Sequence, residues 1–175
     1  ELIRDYLTLI NKKIPNKSKV YEEFKVRFKK RDVDFYQNTL QTIKQYSIIY
    51  NKLLNPSNET DVEIQRELRS IKQLEINVSY PFLLPVYDDY ITNDIDKNTF
   101  IEVLRLIQSY TWRRFIVGLP TNALNKIFMT LYTDVDRSNY LKSIEKALIK
   151  KRSSQRFPNN IEIEAALKDK DLYNT

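Results

Sequence analysis

Residues 109–128, SYTWRRFIVGLPTNALNKIF, contain Gly118, which is the only glycine in the 175-residue chain. The glycine follows a segment with the helical spacing of apolar residues, and Pro120 stands two residues after it. Glycine readily adopts the left-handed backbone conformation that ends many helices, and proline cannot continue a helix. The stretch therefore predicts that one helix stops at Gly118 and that the next starts at Pro120 or Thr121.

The scarcity of glycine also bears on the fold class. Sheet proteins use glycine in hairpin turns, whereas helices joined by short loops can do without it. Hydrophobic residues make up 42% of the chain and aromatic residues 12%, which is more packing material than a disordered segment holds. We therefore expect an all-α fold, a multi-helix bundle of about eight or nine helices with short loops.

Apolar spacing and cap residues place the individual helices. They predict residues 2–14, a segment from Ser18 through Phe28, residues 34–54, a segment from Thr60 through Ile71, residues 81–91, residues 99–117, a segment from Thr121 through Leu131, residues 138–151, and a last helix from Asn159 or Asn160 to about Leu172. The patterns Thr60-x-x-Glu63 and Thr99-x-x-Glu102 have the form of capping boxes. Because the helix over 99–117 is apolar on most of its circumference, we expect it to be central and buried.

The absent residue types exclude several classes of chemistry. The chain has no histidine and no cysteine, which removes Ser-His and Cys-His nucleophilic sites and zinc sites built on imidazole or thiolate. A single glycine cannot form a phosphate-binding loop or a dinucleotide fingerprint. No stretch has the roughly 20 apolar residues of a membrane span. We therefore expect a soluble, cytoplasmic chain with no membrane partner and no cofactor.

The two arginines of the opening stretch fall on different sides of the predicted helix. At about 100° per residue, Arg113 follows Glu102, Arg105 and Ser109 along one solvated stripe, whereas Arg114 projects among apolar residues. A buried guanidinium needs a carboxylate or carbonyl partner, and Asp88 or Asp89 is a candidate. The alternative is that Arg114 faces a phosphate or a neighbouring domain.

Positive charge is concentrated in two segments, in a chain of net charge +6. Residues 17–31 and residues 137–156 each hold seven basic residues; the first set is Lys17, Lys19, Lys25, Arg27, Lys29, Lys30 and Arg31, and the second is Arg137, Lys142, Lys146, Lys150, Lys151, Arg152 and Arg156. Lys142, Lys146 and Lys150 recur every fourth residue and so form one row on a helix. Such a row, with Lys151 and Arg152 beside it, suits contact with DNA phosphates, although a solvated lysine face has the same pattern.

Four stretches together resemble the GmrSD-type modification-dependent restriction endonucleases of bacteria. They are LIRDYLTL at 2–9, YPFLLPVYDDY at 80–90, YTWRRFIVGLPTNALNKIF at 110–128 and RFPNNIEIEAALKDKDLYNT at 156–175. The arginine pair followed by Gly-Leu-Pro-Thr-Asn is the most specific of them. The motif positions that transfer are Arg113, Arg114, Gly118, Pro120, Thr121, Asn122 and Asn125.

Members of this family join an N-terminal ParB-like nucleotide-hydrolysing domain, marked by Asp-Gly-Gln-Gln-Arg, to a C-terminal HNH nuclease that contains histidine. Neither motif occurs here, because Val117 precedes the only glycine and the chain has no histidine. The resemblance therefore implies a helical middle domain over 1–156 and a C-terminal helix over 157–175 that leads toward a nuclease domain. It implies phage defence as the role of the parent protein, flanking NTPase and nuclease domains as partners, double-stranded DNA as a further partner, and no catalytic residue or metal ligand in this chain.

Two rival functions remain open. A purely structural domain would pack against neighbouring domains or a second copy and would never contact DNA. A self-contained enzyme would need a convergent cluster of carboxylates, and the sequence shows no such cluster.

Overall fold

The computed structural model describes residues 1–29 and 31–169, which form nine α-helices and six short 3-10 turns with no β-strand. The helices are α1 (Leu2–Asn11), α2 (Val20–Arg27), α3 (Val33–Leu54), α4 (Val62–Gln73), α5 (Tyr80–Ile91), α6 (Lys97–Ile116), α7 (Asn122–Thr130), α8 (Tyr140–Ile149) and α9 (Asn160–Asp169). The prediction of an all-α, multi-helix fold is confirmed. The end predicted for the last helix, at about Leu172, lies outside the described residues.

The residues that cap two of the helices differ from the predicted ones. Asp61 rather than Thr60 caps α4, and its carboxylate accepts from the backbone N–H groups of Glu63 and Ile64. Asp96 caps α6 and accepts from the backbone N–H of Thr99. Both predicted capping boxes are therefore wrong: the cap of α4 is one residue after Thr60, and the cap of α6 is three residues before Thr99. The negative charge of a carboxylate at the start of a helix is also stabilised by the positive end of the helix dipole.

The last helix does have a reciprocal cap. The Asn159 side chain accepts from the backbone N–H of Glu162 at 3.0 Å, and the Glu162 carboxylate accepts from the backbone N–H of Asn159 at 3.0 Å. Two N–H groups that the helix itself cannot satisfy are thereby bonded. Of the two predicted caps, Asn159 and Asn160, the structure uses Asn159.

Helix α5 is the most completely buried element. Nine of its twelve residues are buried, against eight of the twenty in α6. It contacts α1, α3, α6 and α7, so helices from both halves of the sequence pack around it. The sequence predicted α6 as the central helix, and α5 shares that position because its apolar residues cover its whole circumference. Full burial of a side chain such as Phe82 or Leu84 contributes roughly 2 kcal/mol.

Helix α6 packs against four other helices, α4, α5, α8 and α9. At its end, Gly118 has φ of 75°. The Gly118 N–H donates to the Phe115 carbonyl at 3.0 Å, and the Leu119 N–H donates to the Arg114 carbonyl at 2.9 Å. This pair of bonds is the Schellman arrangement, in which a left-handed residue closes the helix. The prediction that Gly118 stops the helix is confirmed.

The described part of the proposed C-terminal segment packs on α6. The Phe157 ring lies against the Tyr110 ring with centroids 5.1 Å apart. Nothing in this contact fixes where a domain would begin, so the boundary after residue 156 stays a prediction. Within the described ranges, no helix combines the length and the apolar character needed to cross a membrane.

Candidate functional site

Arg114 lies inside the fold, with 2% of its surface exposed. Its guanidinium donates through Nη1 to the carbonyl oxygens of Ser154 at 2.7 Å and Arg156 at 3.3 Å, and through Nη2 to the carbonyl oxygen of Pro120 at 3.0 Å. The guanidinium carbon also lies 5.3 Å from the centre of the Tyr110 ring. The partners of Arg114 are therefore backbone carbonyl oxygens and an aromatic face, so the expectation of a carboxylate or carbonyl partner is met by carbonyls.

The hypothesis that Asp88 or Asp89 pairs with Arg114 is wrong, since both carboxylates have other partners. The buried Asp89 carboxylate accepts from the Tyr132 hydroxyl at 2.9 Å, the Tyr140 hydroxyl at 2.6 Å and the Arg137 guanidinium at 3.0 Å. Asp88 accepts from the Gln45 amide at 3.3 Å. Burial, together with the hydrogen bond to Asp89, raises the pKa of Tyr132 to about 12. That hydroxyl therefore remains a donor at neutral pH, and the cluster is a structural link from α5 to the segment before α8.

Arg113 lies on a different side of α6, as the helical spacing predicts. It is half-buried, and its Nη1 donates to the Pro158 carbonyl at 3.2 Å. The Tyr110 hydroxyl donates to the Gln155 carbonyl at 2.6 Å. Together with Arg114, these side chains hold residues 154–158 against the last turns of α6. The two arginines of the motif therefore fix the chain after α8.

The other motif positions surround the start of α7. Gly118 and Pro120 form the link from α6, and Thr121 is the N-cap of α7 without a side-chain capping bond. Thr121, Asn122 and Asn125 line a cleft of about 760 Å³. We call it the α6–α7 cleft and define it by its lining residues: Gln73, Leu74, Glu75, Ile76, Val78, Thr111, Trp112, Arg114, Phe115, Leu119, Thr121, Asn122, Leu124 and Asn125.

The α6–α7 cleft includes residues that the sequence did not single out. Trp112 and Phe115 are about half exposed, and their stacked rings have centroids 5.7 Å apart. Two buried polar atoms, Thr111 Oγ1 and Arg114 Nε, have no hydrogen-bond partner among the described residues. The i, i+3 and i+4 spacing of Thr111, Arg114 and Phe115 places them on one side of α6, and that spacing is the only signal for this grouping in the sequence.

The predicted lysine row lies on the outer face of α8. Tyr140, Ile144 and Leu148 are the buried residues of this helix. Lys142, Lys146 and Lys150 are exposed on the opposite side. None of the three forms an ion pair with a described residue.

The two basic residues that follow the row are placed differently. Lys151 is half-buried, whereas Arg152 is exposed. The Arg152 guanidinium donates to the Ile149 carbonyl at 3.0 Å and to the Lys151 carbonyl at 3.3 Å, so it bonds the last carbonyl of α8. The α8 row, by which we mean Lys142, Lys146 and Lys150, is therefore the part of this basic segment that is exposed and directed away from the other described residues.

In the other basic segment, residues 17–31, two of the basic side chains have the following contacts with the protein. Lys17 pairs with Glu1 at 3.5 Å, and the Arg31 guanidinium lies 5.2 Å from the centre of the Phe35 ring. Lys30 lies outside the described residues. Among the residues that are described, no group of three or more His, Cys, Asp or Glu side chains could hold a metal ion.

Comparison of the chain with protein-family models, with curated proteins and with solved structures gives no match. The fold and the site define an all-helical domain in which a buried arginine holds two loops beside an open cleft. Its resemblance to the GmrSD-type restriction endonucleases rests on the four quoted stretches alone.

Proposed function

We propose that this chain is a non-catalytic helical region of a bacterial GmrSD-like DNA restriction protein that acts in phage defence. In this role it positions an N-terminal ParB-like NTPase domain and a C-terminal HNH nuclease domain, and it binds the phosphates of double-stranded DNA. The motif that carries the family resemblance supports the positioning role, because Arg113 and Arg114 hold the chain after α8 rigidly against α6.

The observation that carries the DNA-binding part is the α8 row. Its three ammonium groups are exposed, lie along one side of one helix, and have no carboxylate partner among the described side chains. Successive members are about 6 Å apart along the helix axis, so the row spans roughly 12 Å. One strand of duplex DNA presents a phosphate about every 3.4 Å along the duplex axis, and each neutralised phosphate releases condensed counterions. The row therefore suits a stretch of phosphate backbone and carries no information about base sequence.

The test measures binding of the 175-residue chain to a fluorescently labelled duplex by anisotropy, over a series of salt concentrations. Changing Lys142, Lys146 and Lys150 together to Gln should weaken binding at least tenfold at low salt. It should also reduce the slope of log K against log salt by about three, near 0.9 per phosphate contact.

A matched variant separates a local site from net charge. Lys13, Lys44 and Lys72 are exposed, lie outside α8 and form no ion pair with the described residues, so changing them to Gln removes the same total charge. This variant should bind DNA within about threefold of the unmodified chain. Equal losses for the two triple variants, or no binding at low salt, would remove the DNA-binding part of the proposal.

A purely structural interaction domain is the alternative, and the exposed Trp112–Phe115 pair favours it. If the α8 row variant leaves DNA binding of the parent protein unchanged, the alternative is preferred. The proposed membership of the GmrSD-like family is tested separately, by reading the coding sequence on both sides of this chain. An Asp-Gly-Gln-Gln-Arg motif upstream and a nuclease motif with histidine downstream support it, and the absence of both would contradict it.

A further inference from the structure

The α6–α7 cleft has the size and the lining of a small-molecule site. Its volume of about 760 Å³ falls within the range of roughly 300–1,000 Å³ that is typical of ligand pockets. Three separate parts of the chain form its walls: residues 73–78 at the end of α4 and just after it, residues 111–115 of α6, and residues 119–125 before and at the start of α7. Half of these wall residues are apolar, and Trp112 is 46% exposed.

Two polar atoms beside these apolar walls have unmet hydrogen-bonding capacity. Thr111 Oγ1 and Arg114 Nε are buried, and neither has a partner in the described part of the chain. A buried donor without an acceptor costs about 1–3 kcal/mol, so native proteins seldom keep one without a reason. Thr111 and Arg114 are three residues apart in α6 and therefore project from the same side of the helix. A ligand oxygen that accepts from this side would satisfy groups that the protein leaves unsatisfied.

The electrostatics favour an anionic oxygen. Arg114 is a buried cation whose hydrogen bonds all go to neutral carbonyl oxygens, so its charge is not balanced by a bonded carboxylate. Helix α7 starts at the cleft, and its N-cap Thr121 makes no side-chain capping bond. The positive end of the α7 dipole therefore also faces the site. One feature opposes an anion: the exposed carboxylate of Glu75 lies among the lining residues.

We propose that the α6–α7 cleft binds a small amphipathic acid, a molecule with an apolar body and one carboxylate. The body lies against Trp112 and the leucines of the walls, and the carboxylate accepts from Thr111 and Arg114 near the start of α7. Because the two polar atoms are covered by neighbouring side chains, the acid shifts these side chains as it enters. This inference does not depend on the DNA-binding role, since the α8 row forms no part of the cleft.

Trp112 makes the test specific because it is the only tryptophan of the chain. Tryptophan emission of the 175-residue chain is measured during titration with decanoate and, separately, with decanamide, which has the same body and no charge. Decanoate should give a saturable change in emission, and decanamide should bind at least tenfold more weakly. No saturable change, or equal affinity for the acid and the amide, would overturn the proposal.

Two variants test the residues that carry the argument. Thr111→Val keeps the side-chain volume and removes a hydroxyl that bonds nothing in the structure, so the chain should fold normally. It should bind decanoate at least fivefold more weakly, with decanamide unchanged. Glu75→Gln should bind decanoate two- to fivefold more tightly, because the substitution removes a negative charge that repels the carboxylate of the ligand.

The control is Glu22→Gln, an exposed glutamate of α2 that does not line the cleft, and it should not change the affinity. Unchanged decanoate binding in both Thr111→Val and Glu75→Gln would overturn the assignment of the site. A change in Trp112 emission that needs no ligand and follows dimer formation in sedimentation would also overturn it, in favour of a protein partner.

Discussion

Arg114 connects two loops to the end of α6 because its guanidinium can donate to several carbonyl oxygens at once. The Pro120 carbonyl belongs to the link between α6 and α7, whereas the Ser154 and Arg156 carbonyls belong to the segment after α8. The planar group has a fixed fan of donors, which a lysine lacks. Its stacking on Tyr110 adds an interaction that an ammonium group makes less well. The side chain thus stabilises a tertiary arrangement that α6 alone cannot specify.

We expect Arg114→Met to lower the free energy of unfolding by about 3 kcal/mol, because three part-buried hydrogen bonds are lost and each contributes about 1 kcal/mol. Arg113→Met is the control. It removes one bond, to Pro158, from a half-buried position and should cost about 1 kcal/mol. Urea unfolding followed by circular dichroism measures both changes. Wild-type stability of Arg114→Met, together with weakened binding to DNA, would instead assign the side chain to partner recognition.

At the scale of helices, three successive elements end in the same way. Helices α4, α5 and α6 are each followed by a residue with positive φ: Glu75 at 53°, Asn93 at 62° and Gly118 at 75°. Each end has the two backbone bonds of a Schellman closure. Only one of the three residues is glycine, so the chain accepts left-handed backbone at residues that disfavour it. This explains how an all-helical fold with several sharp helix ends needs so little glycine.

Replacing the glycine at one of these ends and introducing a glycine at another should change the stability of the chain in opposite directions. A Cβ at Gly118 would meet no atom within 4 Å, so Gly118→Ala should cost only the backbone strain, about 1 kcal/mol. Glu75→Gly should relieve similar strain and stabilise the chain by about 0.5–1 kcal/mol. Asn93→Gly should change stability less, because asparagine tolerates the left-handed region. Thermal unfolding of the three variants measures these effects, and a stabilising Gly118→Ala would contradict the strain argument.

The sequence predicted the helices well because the signals that define them are local. Apolar spacing and residues such as Gly118 and Asn159 lie within a few positions of the structure they determine. The sequence pattern assigns the caps of α4 and α6 to Thr60 and Thr99. The structure instead uses aspartates of the same capping chemistry, Asp61 one residue after Thr60 and Asp96 three residues before Thr99. Propensity alone cannot choose between such neighbours.

At the scale of the whole molecule, the sequence could show that Arg114 is buried but could not name its partners. Ser154 and Arg156 follow it by about forty residues and lie beyond two further helices. Their acceptor atoms are backbone carbonyl oxygens, which every residue has, so the residue types cannot reveal which of them bonds Arg114. The α6–α7 cleft depends in the same way on three segments that only the tertiary fold brings together. The α8 row could be predicted in full, because its geometry is set by one helix.

The pH dependence of unfolding is a property of the whole molecule to which buried carboxylates contribute with opposite signs. Burial raises the pKa of Asp5 from the usual 3.8 of an aspartate to about 6, even though the Tyr50 hydroxyl donates to it at 3.0 Å. Burial would also raise the pKa of Glu59, but hydrogen bonds from the Asp61 amide, Tyr87 and Lys52 hold that pKa below the usual value. Glu59 therefore stabilises the fold above its unfolded pKa, and this contribution is lost as the pH falls.

Asp5 acts in the opposite direction and can be isolated. Its raised pKa means that the folded state holds a proton that the unfolded state has released, so its contribution is fully present below about pH 4 and is lost as the pH rises through about 6. Asp5→Asn keeps an acceptor for Tyr50 and carries no charge. It should match the wild-type stability at pH 4 and exceed it by up to about 3 kcal/mol at pH 7, since one pKa unit corresponds to about 1.4 kcal/mol. Urea unfolding of both chains from pH 4 to 7.5 measures this difference, and a difference that does not vary with pH would show that Asp5 does not titrate in this range.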